Sequence, residues 1–431
     1  MSNLNRRDFI RASAAAGVAP LIASGVAAQT DPKPLRVGVI GTGGRGTHLL
    51  RLALGFEGVE VPALCDTNDA NLNRAIGVVK EARGNAPVGY SQSPTHYRRL
   101  LDRGDVDAVI VATPQQLHGA MCIDALNAGK HALSEVAAAM TMDDCMGLVE
   151  AERDSGKVYM LSENCCYYTQ NLAVLNMSRA GVFGDITYSE CGYVHDCRYL
   201  MFDGAGKLTW RGEMSRDYVG NLYPTHAIGP VCQWLGINRG DRLESLVAST
   251  TESKAIEHYV RERYGADSEQ AKINFAVGDS TSTLIRTAKG VLIDLRFDIY
   301  SAHPLLSTTY LTLQGTTASY EDRKGQQEIW IDGRSEKVAW EPFSTYAAEH
   351  ESDLWKQYRE KAASSGHGGA DFFAVQQFIE AASTGGPSPI PAADAAAWSC
   401  VIPLSWASIR AGGAPQEIPD FTNGAWKGET A

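Results

Sequence analysis

Leu35-Arg36-Val37-Gly38-Val39-Ile40 runs directly into Gly41-Thr42-Gly43-Gly44-Arg45-Gly46. An apolar strand pattern ending in G-x-G-x-x-G leaves the chain few choices. The first glycine permits a tight turn, the second lets backbone approach a pyrophosphate, and the third lets the next helix pack on the strand. The free N–H groups of that helix then face the phosphates. Gly41, Gly43, Gly44, Arg45 and Gly46 are therefore expected around a dinucleotide. The pattern also calls for an acid at the end of the second strand. Val59-Glu60-Val61-Pro62-Ala63-Leu64-Cys65-Asp66 supplies it. Asp66 is positioned to accept from ribose hydroxyls, which favours NAD over NADP.

Strand and helix patterns alternate from Leu35 to about Asn164. Residues 107–113 read as a buried strand, 118–128 as a helix, and 131–136 and 158–163 as strands. Thr141 caps a helix with Asp143 and Asp144 in its first turn. Such repetition makes a parallel, doubly wound α/β sheet. Glu135 and Asn164 fall at strand C-termini, facing the usual ligand crevice.

The pattern changes after about residue 180. Residues 185–192, 245–251, 280–287, 291–300, 308–314 and 328–332 read as strands, with a turn at Ala288-Lys289-Gly290. An open, mostly antiparallel sheet with few helices is expected, followed by a late amphipathic helix over 371–382. The expected organisation is a leader over 1–28, a nucleotide-binding domain over 34–165, an α+β substrate and oligomerisation domain over 166–415, and a tail over 416–431.

Asn5-Arg6-Arg7-Asp8-Phe9-Ile10 precedes an Ala/Gly-rich apolar stretch. This resembles a twin-arginine export signal cut near Ala28, giving a periplasmic or otherwise exported protein. The stretch is too short and too weakly apolar to span a membrane. The whole chain carries a net charge of −11, and loss of 1–28 removes a net +2. So acidic a chain disfavours nucleic acid and anionic membrane surfaces as partners. Its nine cysteines show no C-x-x-C pair, so no metal site is expected. The spacing of Cys191 and Cys197 leaves a disulfide open. An exported nicotinamide enzyme has no obvious cofactor pool, so it should keep its NAD and reset it within each turnover.

Thr113-Pro114-Gln115-Gln116-Leu117-His118 resembles the T-P-x-x-x-H segment of the Gfo/Idh/MocA superfamily, and Glu135 the Glu of its E-K-P motif. Val136 and Ala137 replace the lysine and proline, and that lysine assists proton transfer in simple sugar dehydrogenases. Glu163-Asn164-Cys165-Cys166-Tyr167, Leu175-Asn176-Met177, Gly220-Asn221-Leu222-Tyr223-Pro224-Thr225-His226, Gly229-Pro230, Asn238-Arg239-Gly240-Asp241 and His367-Gly368-Gly369 are similar to glycoside hydrolase family 109. His303-Pro304-Leu305 and Ala370 depart from that family's R-P-Y-like and H-G-G-M-D stretches, which bears on sugar choice.

The resemblance implies a glycosidase with tightly held NAD, founded on α-N-acetylgalactosaminidase activity. It acts by transient oxidation at sugar C3, loss of the C2 proton with expulsion of the aglycone, addition of water and re-reduction. It assigns Thr113, Pro114, His118, Glu135 and Asn164 to the cofactor pocket and Tyr167 to the C2 proton. His226 or Tyr223 takes the C3 hydroxyl proton, and Arg211 binds substrate oxygens. A core histidine, packing aromatics and a surface arginine are the plain alternatives for these residues. His195-Asp196 reads as a strand end or an acid/base pair. An exported sugar oxidoreductase and a non-catalytic sugar-binding protein are the competing functions. By analogy, two copies could pair through the open sheet.

Overall fold

A computed structural model describes residues 33–304 and 309–428. The expected leader over 1–28 and Leu305 lie outside the described residues. The first sheet is parallel and is built from β1 (Leu35–Ile40), β2 (Val59–Glu60), β3 (Ala63–Cys65), β4 (Val88–Tyr90), β5 (Ala108–Val111), β6 (His131–Ser134) and β7 (Tyr159–Leu161). Their order is β4-β3-β1-β5-β6-β7, with the short β2 paired to β1. The chain leaves β1 towards β3 and β4, then returns to the other side at β5. That reversal opens a crevice at the strand C-termini. Val37 and Val39 of β1 are wholly buried, as are Ala108, Val109 and Val111 of β5. Continuous apolar runs of this kind suit strands covered by helices on both faces.

The helix Gly44–Leu54 follows the turn and buries Leu49, Leu50, Ala53 and Leu54. The helix Met142–Ser155 starts as expected, with Thr141 Oγ1 accepting from Asp144 N at 3.1 Å.

The second sheet comprises β8 (Ile186–Val194), β9 (Leu243–Thr250), β10 (Thr281–Thr287), β11 (Leu292–Asp298), β12 (Thr309–Gly315), β13 (Ala318–Arg323), β14 (Gln326–Ile331), β15 (Glu341–Pro342) and β16 (Gln416–Glu417). Its order is β15-β14-β13-β12-β8-β11-β10-β9-β16. All described neighbours are antiparallel except β8 and β11. β10 alternates buried and exposed residues strictly, so the sheet has one covered and one open face. The helices Thr225–Trp234 and Val401–Arg410 pack on it.

The second half is richer in helix than the sequence suggests. The late helix expected over 371–382 is present as Ala370–Thr384, and Trp210–Asp217, Lys254–Tyr264, Asp353–Ala362 and Ala392–Ser399 are also helical. Each of these four runs only eight to eleven residues, too few turns for a helical period to stand out. The strand β13 also escapes the sequence reading. All nine cysteines are free and buried, so Cys191 and Cys197 are not bridged. Within 413–428, β16 extends the sheet, and Ile418 and Phe421 are buried. No described helix is long and apolar enough to cross a membrane.

Candidate functional site

A cleft of about 750 Å³ opens at the C-terminal edge of the parallel sheet. Gly41, Gly43, Gly44, Arg45, Asp66, Thr113, Pro114, His118, Glu135, Arg211 and Tyr223 all line it. The turn is built as its glycines require. Gly41 sits at φ +85°, and a Cβ there would approach Ala112 O to 2.6 Å. A Cβ on Gly46 would enter the carbonyl oxygen of Gly41, so the third glycine sets the helix against the turn and lies outside the cleft lining. Gly44 has nothing within 4 Å, and Gly43 meets only Asn71 Nδ2 at 4.0 Å. That open space beside a helix N-terminus fits a pyrophosphate. Asp66 Oδ2 accepts from Thr42 N at 2.7 Å and Thr42 Oγ1 at 3.2 Å, and Oδ1 accepts from Asn68 N at 2.8 Å. Its carboxylate is thereby fixed at the end of β3, and the residues present fit a bound dinucleotide.

His118 is structural as well as a cleft residue. Its Nδ1 lies 2.9 Å from Ala137 O and its Nε2 2.8 Å from Thr113 O. Burial lowers its pKa, so the ring rests neutral and has one N–H for two carbonyls. It ties the turns after β5 and β6 together. Val136 lines the cleft where the superfamily has lysine, and no lysine is among the lining residues.

Arg45 does not reach for phosphate. Its Nε meets Glu135 Oε1 at 2.6 Å, and its terminal nitrogens grip Asp371 at 2.7 and 2.8 Å. Burial pushes the guanidinium pKa down, but Glu135 and Asp371 outweigh it and hold it above its ordinary value. Asn164 donates to Asp371 at 2.9 Å and is buried outside the cleft lining. Of the expected cofactor residues, Arg45 and Asn164 therefore serve as a frame around Glu135 and Asp371. Asp371 is the closing acid of the stretch set against H-G-G-M-D, and it is given no role by the sequence alone.

His226 begins the next cluster. Its Nδ1 lies 2.7 Å from Glu163 Oε1. Glu163 is wholly buried. Burial raises its pKa, but the imidazole prevails and holds the carboxyl below the usual range. The contact directs Nδ1–H at the carboxylate and leaves Nε2 for proton transfer. The Tyr223 ring lies 5.0 Å from His226, although Tyr223 precedes the helix that starts at Thr225. Tyr193 of β8 packs on both, with centroids 5.3 Å from Tyr223 and 5.2 Å from His226. Glu163 belongs to the Glu163–Tyr167 motif but is given no role by it, and Tyr193 falls one residue past the strand expected over 185–192, which runs to Val194. Glu163, Cys165 and His226 place ligand atoms within 4.8 Å of one another. The Glu163–His226 contact and the bond from Cys165 N to Glu163 Oε1 at 3.0 Å account for that grouping without an ion.

Arg211 lines the cleft with its guanidinium 4.2 Å from the Trp210 ring centroid. Trp210 also lines the cleft and was not anticipated. Tyr167 is not brought to the cleft. It is enclosed against Phe373, with centroids 6.3 Å apart, and its hydroxyl has no hydrogen-bond partner among the described residues. Burial raises the Tyr167 and Tyr223 phenols, so both rest protonated. His195 and Asp196 are not an acid/base pair, since Asp196 binds Arg198 at 3.0 and 2.7 Å. Ala370 is wholly buried and cannot touch a ligand in the cleft. His303 lies 3.9 Å from Asp298.

The fold and cleft define an NAD-binding Rossmann enzyme. Residues 35–163 match the oxidoreductase family with NAD-binding Rossmann fold. Solved structures agree. A levoglucosan dehydrogenase in complex with NADH superposes with a TM-score of 0.70 at 20% identity, covering 90% of this chain and 100% of that one. An aldose-aldose oxidoreductase from Caulobacter crescentus gives 0.63 at 16% identity, over 89% and 100%. Residues 167–428 match the C-terminal domain of glycosyl hydrolase 109. Glycosyl hydrolase family 109 proteins from Solibacter usitatus and Stenotrophomonas maltophilia are each 37% identical, over 99% of this chain and 99% and 97% of theirs. The chain belongs to glycosyl hydrolase family 109, and its cofactor is NAD.

Proposed function

We propose that the protein is a glycosidase that releases a terminal N-acetylgalactosaminide or related sugar by transient oxidation at C3. The observation that carries this reading is the Glu163–His226 pair, which lies outside the lining itself but packs 5.0 Å from Tyr223, a residue lining a dinucleotide cleft without lysine. Bound NAD supplies reversible hydride acceptance. His226 takes the proton of the C3 hydroxyl, and Glu163 stabilises the imidazolium that results. Tyr223, protonated and facing the cleft, relays that proton between His226 and the sugar oxygen. Arg211 and Trp210 orient the sugar through hydrogen bonding and ring stacking.

Tyr167 is assigned the proton at C2 on the family resemblance; it lies outside the cleft lining, with a hydroxyl that has no hydrogen-bond partner among the described residues. A resting phenol suits the half of the cycle in which C2 regains a proton. By microscopic reversibility the same group removes it in the other half.

Export through the twin-arginine route with NAD already bound, and pairing of two copies over the open sheet, belong to the same proposal. Its test is a panel of α- and β-linked aryl N-acetylgalactosaminides, galactosides and glucosides, given to purified protein without added nucleotide. Release of the aryl alcohol with no net NADH supports the glycosidase. No release, with NADH formed from free sugars, would replace it with a sugar oxidoreductase.

A further inference from the structure

Asp371 lies 326 residues from Arg45 in sequence, yet it takes both terminal nitrogens of that guanidinium. Its side chain is wholly buried. It also accepts from Asn164 Nδ2 at 2.9 Å, and lies 3.0 Å from His48 Nε2 and 2.8 Å from His367 Nδ1. Burial raises the carboxyl, but these donors outweigh it and keep Asp371 ionised.

Its placement is fixed from both sides. His367, Gly368 and Gly369 take positive φ values of 51°, 63° and 105° to enter the helix Ala370–Thr384. A Cβ at Gly369 would approach Trp355 Cη2 to 2.6 Å. Next along the helix, Phe372 stacks on Phe56 at 5.3 Å, just past the end of the helix Gly44–Leu54. A buried charge held by this many donors is costly to assemble, which argues for a role beyond packing.

We propose that Asp371 is a positioning residue for the nucleotide. It holds the Arg45 fork so that Nε stays on Glu135, and the glycine turn and the cleft wall at Glu135 form one rigid piece. NAD meets a preorganised turn and leaves slowly, because the turn cannot relax around it. This inference rests on the NAD cleft and not on the glycosidase reading.

The test uses full-length protein carrying NAD. Excess etheno-NAD is added, and its fluorescence reports how fast bound NAD is replaced. Asp371→Asn keeps the shape and removes the charge, and should speed exchange roughly tenfold. Arg45→Lys keeps the charge and removes the fork, and should do the same. The double variant should be no faster than either alone, because both cut one linkage. If Asp371→Asn does not fold, Arg45→Lys decides by the same measurement. Asp394→Asn is the control. That buried carboxylate binds Asn238 and Arg239 and lies outside the cleft lining, so exchange should stay at the unaltered rate. Exchange at or below the unaltered rate in Asp371→Asn would overturn the proposal, since Arg45 would then have been freed to hold phosphate. Equal acceleration by Asp394→Asn would overturn it too, as general loosening.

Discussion

Replacing Glu163 by Gln tests the proton-transfer pair directly. The amide is nearly isosteric and can still accept from His226 Nδ1, so ring orientation is kept. What disappears is a negative charge 2.7 Å from the imidazole. That charge matters little while the ring is neutral and much once the ring has taken the C3 proton. A hydrogen bond to a charged group is worth about 1.5–3 kcal/mol, and each 1.36 kcal/mol is tenfold in rate. The oxidation step should therefore slow roughly ten- to hundredfold. Folding should be weakened somewhat, because in the folded protein His226 favours the Glu163 charge by more than burial opposes it, and a melting curve reads that separately from rate. The assay is single-turnover appearance of reduced nicotinamide absorbance on mixing NAD-loaded protein with an active glycoside. Nucleotide content is checked beforehand. A rate within about twofold of the unaltered protein would refute the reasoning, because transition-state stabilisation by Glu163 would then be negligible.

Gly46→Ala drives a methyl group into the Gly41 carbonyl and should cost about 1–3 kcal/mol, read as a lowered melting temperature. Gly44→Ala has open space and should leave stability within about 0.5 kcal/mol while reducing retained NAD, measured by nucleotide release on denaturation. Tyr167→Phe should suppress solvent exchange at sugar C2 about 10²-fold or more while NAD binding persists, measured by NMR of the product. Burial depresses the His195 pKa from 6.5 to about 4, with His226 adding to the effect. Between those values the unfolded chain binds more protons than the folded one, so this residue makes stability fall as pH drops from 6.5 towards 4. His195→Gln should flatten that part of the melting-temperature profile.

The parallel sheet was legible because its signals are local. Strand, glycine turn and Asp66 occur in register within one βαβ unit, and the structure places them around one cleft. His226, Tyr223 and Arg211 were legible through motif resemblance, and Tyr223 and Arg211 do meet at that cleft. What stayed hidden depends on long-range approach. Asp371 closes the stretch set against H-G-G-M-D, but its partner Arg45 stands 326 positions away, and the motif alone does not show that contact. Glu163 shows its role only once the helix at Thr225 brings His226 over it. Arg45 sits in the phosphate turn, but only the folded structure shows its donors taken by carboxylates. The short helices of the second half were lost because their periods are cut off within two or three turns.

The central claim is that a sugar is oxidised, opened at C1 and re-reduced on one enzyme. Cleaving an active aryl glycoside in D₂O, without added nucleotide, and examining C2 of the released sugar by NMR tests it most directly. Deuterium at C2 with no net NADH is the predicted result. Release of the aglycone with the original hydrogen retained at C2 would contradict the oxidation–elimination account, because direct hydrolysis does not break that bond.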